Sequence, residues 1–413
     1  MREALNISKH DAIGRRFNNL DAHDVILRHG WRSRLACWSE RTESKEVVAC
    51  ATGSLNRSVT SLLARIGRIS GNVNGYYANA SAFMRLPFYV EADLLHFHIV
   101  HEDYLSPADW IRLAGEKPVV WTWHDPYMMN GHCIYPLGCD RFEIGCPTCP
   151  NLKYHFAVHR DRSAQNLREK VEAVKRIDPL VVVASDYMRE IVERSLYRDS
   201  VRLRVLPFGV EAPETFDPAK AKLALGVPPG NVVVGFRAVW SDYKGLPLVL
   251  HALRRFKSRF PTFPLTILTF QEKGLCADLA ATCQVIDVGW VWGREIGNYY
   301  AAMDFFLMPS KAEAFGLMAI EAMAAGACPV VTYGTALEEL VGAPSTAVCA
   351  MYDEEAFSDA LEAAILRSRQ HARQRDARVA YAAKRFSMDA FGEGLGKIYD
   401  EEYDYRNGRR RSA

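Results

Sequence analysis

Residues 307–331 read LMPSKAEAFGLMAIEAMAAGACPVV. An apolar strand, DFFLMPS (304–310), runs into a short loop, a helix begins near Leu317, and a second apolar run, CPVVTY (328–333), follows. Unbroken apolar strands joined by a helix mark a parallel sheet covered on both faces. Two carboxylates stand in this segment, Glu313 and Glu321. Glu313 falls on the loop at the strand's carboxyl end, and Glu321 lies about one turn into the helix. Both therefore point toward the edge where open α/β sheets bind ligands. The helix start there also offers free backbone N–H groups and partial positive charge, suited to a phosphate or a sugar hydroxyl. The plainer reading makes Glu313 a solvated loop residue and Glu321 a residue favoured by the helix dipole.

The same unit repeats along the chain. Short apolar runs at 92–100, 118–124, 179–185 and 203–209 read as one series of buried parallel strands, and runs at 231–236, 263–270, 283–289, 304–310 and 328–333 as a second. Between them lie amphipathic stretches such as Lys244–Phe260, with Leu246, Val249, Leu250, Leu253 and Phe256 at helical spacing. The series breaks near 208–231, FGVEAPETFDPAKAKLALGVPPGN, which carries four prolines and reads as a linker plus a short helix. The expected fold is α/β: two facing, doubly wound Rossmann-like domains, with the site in the cleft between them. The first spans 1–207 and is rejoined by a C-terminal helix at 388–405; the second spans 208–387. With 413 residues the chain is too long for one core, which agrees with two domains.

Composition excludes several classes. The formal net charge is +2, so no global field points to nucleic acid. No run of about 18 apolar residues occurs, so no membrane span is expected. The opening MREALNISKHD has no apolar signal core, which places the chain in the cytosol and makes disulfides among its ten cysteines unexpected. The basic tail Arg406–Arg411 reads as a solvated end.

Two further stretches carry chemistry. In FRAVWSDYKG (236–245), Arg237 and Lys244 stand at a strand end and at the next helix start, where cations clamp a diphosphate; either alone is an ordinary surface cation. In HDPYMMNGHCIYPLGCDRFEIGCPTCPNL, the cysteines Cys133, Cys139, Cys146 and Cys149 fall within loop 131–150 and close with a C-x2-C knuckle. Four thiolates suit a structural Zn²⁺ with no open position, and His132 is a further candidate ligand. The alternatives are reduced structural cysteines or a redox pair. The six other cysteines read as apolar fill.

The E-x7-E pattern, the Arg237…Lys244-Gly245 pair, LPFGVE (206–211) and VGWVWGREIGNYYAAMDFFLMPS (288–310) together resemble the retaining GT-B glycosyltransferases called group 1 or family 4. The likeness runs from about residue 90 to 400. It implies a nucleotide-sugar donor held mainly by the second domain. Glu321 would hold the donor ribose, Glu313 the transferred sugar, and Arg237 and Lys244 the diphosphate. The backbone of Ala314, Phe315, Gly316 and Leu317 would lie along sugar and phosphate, and Val291 would border the base. His124, in TWHDPY, resembles the family's strand-end histidine and would contact the donor sugar near the reacting carbon. No Asp-x-Asp occurs, so the implied transfer uses no metal cofactor and retains anomeric configuration by front-face attack. The cysteine loop resembles one in a bacterial subgroup linked to exopolysaccharide assembly, the colanic-acid type. The implied partners are the nucleotide sugar and a glycan or polyprenyl-diphosphate-linked acceptor, with no nucleic acid.

The chain departs from the family at its start. The first strand is only EALNIS, and the following loop holds a single glycine, Gly14, as the candidate for donor phosphate. RSVTSLLARIGRI (57–69) is a basic amphipathic segment. A core-facing helix is its plainer reading; peripheral docking on the inner membrane face, as members with lipid-linked acceptors do, is the other. Two other functions compete with hexosyl transfer. A sugar-nucleotide epimerase would need acids and bases on both faces of one sugar, and no such extra pair is visible. A non-catalytic GT-B scaffold would have no need of the glutamates and cations.

Overall fold

The computed structural model describes residues 1–11, 20, 22–39, 44–50, 54–154, 156–211, 217–241, 243–291, 295–342 and 347–412. It divides into two units, Met1–Phe208 with Met388–Ala413, and Gly209–Ser387.

The first unit is built on a seven-stranded sheet. Its strands are β1 (Arg2–His10), β2 (Trp31–Ser39), β3 (Val47–Ala49), β4 (Leu94–Phe97), β5 (Val119–Thr122), β6 (Leu180–Val183) and β7 (Arg202–Val205). Their order is β3-β2-β1-β4-β5-β6-β7 and every pair is parallel. The order reverses between β1 and β4, the point where such sheets leave a crevice for ligands. Strands β4, β5 and β6 are buried throughout, as their apolar runs demand.

Two features of this unit run against simple pattern reading. The opening strand is nine residues long with Ala4–Ser8 buried, and it lies inside the sheet, beside the central strand β4. Strand β2 carries Arg32 and Arg34 in its middle and was not among the expected strands. Arg34 lies within 4 Å of Glu3, Glu46 and Glu91, so three carboxylates offset a cation on an otherwise half-buried face.

The C-terminal helix Met388–Ser412 packs back on the first unit. Glu402, fully buried, accepts from the Val119 N–H and pairs with Arg202 at 2.6 Å. Two arginines of the basic tail have partners on the first unit. Arg406 donates to the carbonyls of Ile177 and Asp178, and Arg409 to the Asp178 carboxylate.

The second unit has β8 (Val232–Ala238), β9 (Leu265–Gln271), β10 (Gln284–Gly289), β11 (Phe305–Met308), β12 (Cys328–Thr332) and β13 (Val348–Ala350). Their order is β10-β9-β8-β11-β12-β13, again all parallel, and the reversal falls between β8 and β11. One core joins β8, β9, β11 and β12 to the helices Leu246–Arg259 and Glu354–Leu366 through Val234, Phe236, Leu253, Phe256, Ile267 and Leu361.

The segment Ser54–Ser70 is a helix, but not a core-facing one. Gly67 is buried and Leu63 half-buried, while Val59, Leu62, Ile66 and Ile69 are 40–58% exposed. The positions i, i+3, i+7 and i+10 form one stripe, and it faces solvent.

Candidate functional site

The reversal point of the second sheet gathers the charges singled out above. Met308 ends β11, and after eight intervening residues the helix Leu317–Ala324 begins. Its N-cap is Gly316, at φ +86°; a Cβ there would meet the Leu337 side chain at 2.1 Å, so only glycine fits. Gly245 plays the same part at the neighbouring helix Leu246–Arg259. Its φ is +70°, and a Cβ would sit 1.9 Å from the Pro309 carbonyl oxygen. These two glycines let the helix starts after β8 and β11 pack tightly against the loop that carries Glu313.

Lys244 and Glu313 meet across this edge. Lys244 Nζ lies 2.6 Å from Glu313 Oε2, with both side chains largely buried. A charge-assisted bond in such surroundings is stronger than a surface pair, whose worth is about 0–1 kcal/mol. Glu321 is 7% exposed and accepts from the Tyr300 hydroxyl at 3.2 Å. Arg237 is exposed at the end of β8 and donates to Gln271 Oε1 at 2.7 Å. The helix Leu317–Ala324 is closed at its other end by cations: Arg375 donates to the Ala325 carbonyl and Arg378 to that of Gly326. Both arginines are largely buried, and burial lowers the pKa of each. They offset the negative end of the helix, leaving the N-terminal end at the ligand edge.

The remaining expected donor residues divide. Ala314 and Phe315 are buried, and the Phe315 ring packs edge-on against Phe386, so only their backbone is placed for a ligand. Leu317 and Val291 are half-buried, Val291 two residues past the end of β10. Gly14 lies outside the described residues.

In the first unit, His124 follows β5 by two residues. Its ring stacks on Phe208 with centroids 5.2 Å apart, and its Nε2 lies 3.1 Å from His98 Nδ1. His98 Nε2 lies 2.9 Å from Asn6 Oδ1. His96, stacked on His98 at 4.1 Å, has its nitrogens at Tyr399 and Thr122. Burial drives the pKa of both His96 and His98 well below the ordinary imidazole value, with charge on His124 contributing. Asn6 and His98 escaped the sequence reading. The signal was present in HFH (96–98), since alternate strand residues share a face and His96 and His98 both stand at the reversal point.

The cysteine loop does not show the expected ligand set. Burial raises the thiol pKa of Cys133, Cys146 and Cys149, and neighbouring cysteines of the loop add to each rise. Yet among the described residues no group of three or more His, Cys, Asp or Glu side chains gathers to hold a metal ion. The four thiols are therefore not gathered into one ligand set in this structure, and His132 Nδ1 lies 3.3 Å from Ser163 Oγ. A protein cation lies where the metal's charge was expected. Lys170, 2% exposed, donates to the carbonyls of Tyr127 and Asn130, just before the loop, and sits 3.8 Å from the Tyr127 ring centroid. Burial pushes Lys170 down to about 7 and Cys133 up to about 12, while Lys170 pulls Cys133 and Cys146 the other way. All ten cysteines are free thiols. Among the described residues no helix is long and apolar enough to cross a membrane.

Comparison with known proteins bears on the second unit most directly. Residues 220–385 match the family Glycosyl transferases group 1. A 79-residue stretch is 34% identical to the colanic acid biosynthesis glycosyl transferase WcaC of Escherichia coli (strain K12), covering 17% of this chain and 20% of that one. The D-inositol 3-phosphate glycosyltransferase of Nocardiopsis dassonvillei is 29% identical over 56% of this chain and 53% of its own length. The match to these relatives thus spans from a fifth to about half of their length. Among solved structures, sucrose-phosphate synthase from Thermosynechococcus elongatus superposes with a TM-score of 0.70 at 17% identity, covering 98% of this chain and 100% of that one. Anabaena HepE in complex with UDP-glucose gives 0.65 at 16% identity, with 97% and 100% covered. These likenesses show the GT-B fold.

Proposed function

We propose that this chain is a group 1 glycosyltransferase. It moves a hexose from a nucleoside-diphosphate sugar to a glycan or polyprenyl-diphosphate-linked acceptor, in the assembly of a bacterial surface or exopolysaccharide. The observation that carries this reading is the Lys244–Glu313 pair at the reversal point of the second sheet, with Arg237 and Glu321 at the same edge. A buried ion pair adds little to stability, so its place at a ligand edge favours a binding role. The HepE complex with UDP-glucose and the glycosyltransferase relatives support a nucleotide-sugar donor. The WcaC match supports the exopolysaccharide setting.

In the proposed transfer, the bond between the anomeric carbon and the diphosphate oxygen breaks. The acceptor oxygen bonds to that carbon from the same face, retaining configuration, and its proton passes to the departing diphosphate. Arg237, Lys244 and the Gly316–Leu317 amides stabilise the charge gathering on the diphosphate, without a metal. Glu321 binds the ribose, Glu313 orients the transferred hexose and holds Lys244 until donor arrives, and His124 engages the hexose near the reacting carbon.

The solvent-facing stripe of the helix Ser54–Ser70 supports peripheral contact with a membrane that carries the lipid-linked acceptor. Its exposed Val59, Leu62, Ile66 and Ile69 are accompanied by Arg65 and Arg68, and the helix contains no acidic residue. This combination suits the interface of an anionic bilayer.

The test is turnover. The protein is incubated with UDP-, GDP- and ADP-hexoses, and release of the nucleoside diphosphate is followed. Release from one donor, lost in Glu313→Ala, supports the reading. No release from any donor, in folded protein supplied with lipid-diphosphate and glycan acceptors, contradicts it.

A further inference from the structure

The histidine chain of the first unit contains enough fixed groups to assign its protons. Asn6 Nδ2 lies 3.0 Å from the Arg34 carbonyl oxygen and 2.8 Å from Ser33 Oγ. A carbonyl only accepts, so the atom facing it is the amide nitrogen, and the atom facing His98 is Oδ1. Oδ1 also only accepts. His98 Nε2 must therefore carry a proton and donate it, at 2.9 Å. His98 is 2% exposed, with a second imidazole stacked on it and a third at its other nitrogen, so it is neutral and has one proton to place. Its Nδ1 is then an acceptor. The group facing Nδ1 is His124 Nε2 at 3.1 Å, which must be the donor.

We infer that Asn6 and His98 are positioning residues that fix the tautomer of His124, placing its proton on Nε2 and its lone pair on Nδ1. The backbone of β2 thus orients Asn6 on β1, Asn6 orients His98 just past β4, and His98 orients His124 just past β5. His96 does not compete for these bonds, because its own nitrogens are engaged by Tyr399 and Thr122. The Phe208 ring, nearly parallel to that of His124 at 17°, holds the plane. The consequence for chemistry rests on the proposed role of His124 at the transferred sugar. Neutral His124 would offer Nδ1 only as an acceptor, and it would donate from that atom only after taking up a proton. Tautomer control of this kind keeps a ring ready in one state and spares its reordering during the reaction.

The experiment reads the tautomer directly. The full chain is labelled with 15N in histidine, and long-range proton–nitrogen correlation spectra are recorded, with His124 assigned by loss of its signals in His124→Gln. The expected spectrum shows both His98 and His124 protonated on Nε2. In His98→Gln, His124 should show mixed tautomers. If the chain transfers sugar, kcat should fall on the order of tenfold to a hundredfold with donor KM nearly unchanged. Asn6→Ser is the second variant, and it should shift the His98 signals first. A His124 protonated on Nδ1 in the wild type overturns the inference, as does an unchanged His124 tautomer in a folded His98→Gln protein. The spectra need no turnover, so failure of the glycosyltransferase reading would appear separately, as absence of activity with the predicted tautomers in place.

Discussion

The reversal points of the two sheets treat buried polar groups in opposite ways. In the first, burial favours the neutral form of His98, which spends its hydrogen bonds on Asn6 and His124. In the second, ionisable side chains stand at the edge: Lys244 against Glu313, Arg237 against Gln271, and Glu321 against the Tyr300 hydroxyl. A chain of neutral groups fixes direction; it orients one side chain and costs little to bury. A set of part-buried charges is expensive to bury and is repaid most fully by a charged, hydroxyl-rich ligand. The comparison teaches that one edge is organised for orientation and the other for charge.

The largest expected effect separates the two edges by kind. Lys244→Ala and Glu313→Ala should lower turnover on the order of a hundredfold to a thousandfold, since each removes a group aimed at the developing charge or the sugar. Their melting temperatures should change by only a few degrees. A loss of folding in place of a loss of turnover would mean that the pair is structural and would erase the contrast.

The cysteine loop sharpens it further, because its charge is structural. Lys170→Met removes the lysine donor from the Asn130 carbonyl and one of two donors from the Tyr127 carbonyl, and should cost about 2–4 kcal/mol in denaturant unfolding. The cost should depend on pH. The folded chain releases the Lys170 proton near 7, while the unfolded chain keeps it up to about 10.4. Between those values the unfolded state binds more protons, so Lys170 makes stability rise with pH through that window. Wild type should therefore gain on Lys170→Met between about pH 6.5 and 8.5. A flat difference would mean that the amine is not titrating in the fold.

Membrane contact should respond to one face of one helix. Leu62→Asp and Ile66→Asp should abolish co-sedimentation with phosphatidylglycerol vesicles while leaving turnover on soluble acceptors unchanged. Retained binding would assign the stripe some other partner. The smallest effect is expected from chelation. EDTA or a tighter zinc chelator should leave the melting temperature where it is, if the Lys170 bonds to the Tyr127 and Asn130 carbonyls suffice to anchor the loop. A fall of several degrees, restored by Zn²⁺, would reinstate the four-thiolate site.

Much of the fold was legible because buried parallel strands announce themselves as unbroken apolar runs. Every strand from β4 to β12 lies within or against such a run. β2 was hidden by Arg32 and Arg34, whose charge is offset by glutamates far away in sequence. β3 and β13, three residues each, are too short to show a period. At the site, Glu313, Lys244 and their glycines could be read from position alone, since strand ends and helix starts place them. Asn6 and His98 could not be joined without the β1–β4 pairing, which no local pattern encodes. The cysteine spacing is limited for the converse reason. Spacing says that thiols share a loop; only the direction of each Cβ decides whether they meet at one point.

The central claim is that the second unit's edge is a nucleotide-sugar site built from protein cations. Titration calorimetry with UDP, GDP, ADP and their hexoses, in metal-free buffer, tests it most directly. The account predicts saturable binding of one nucleotide class, weakened on the order of tenfold or more in Arg237→Ala and in Glu321→Gln. Absence of binding by every nucleotide, or binding indifferent to both substitutions, would contradict it.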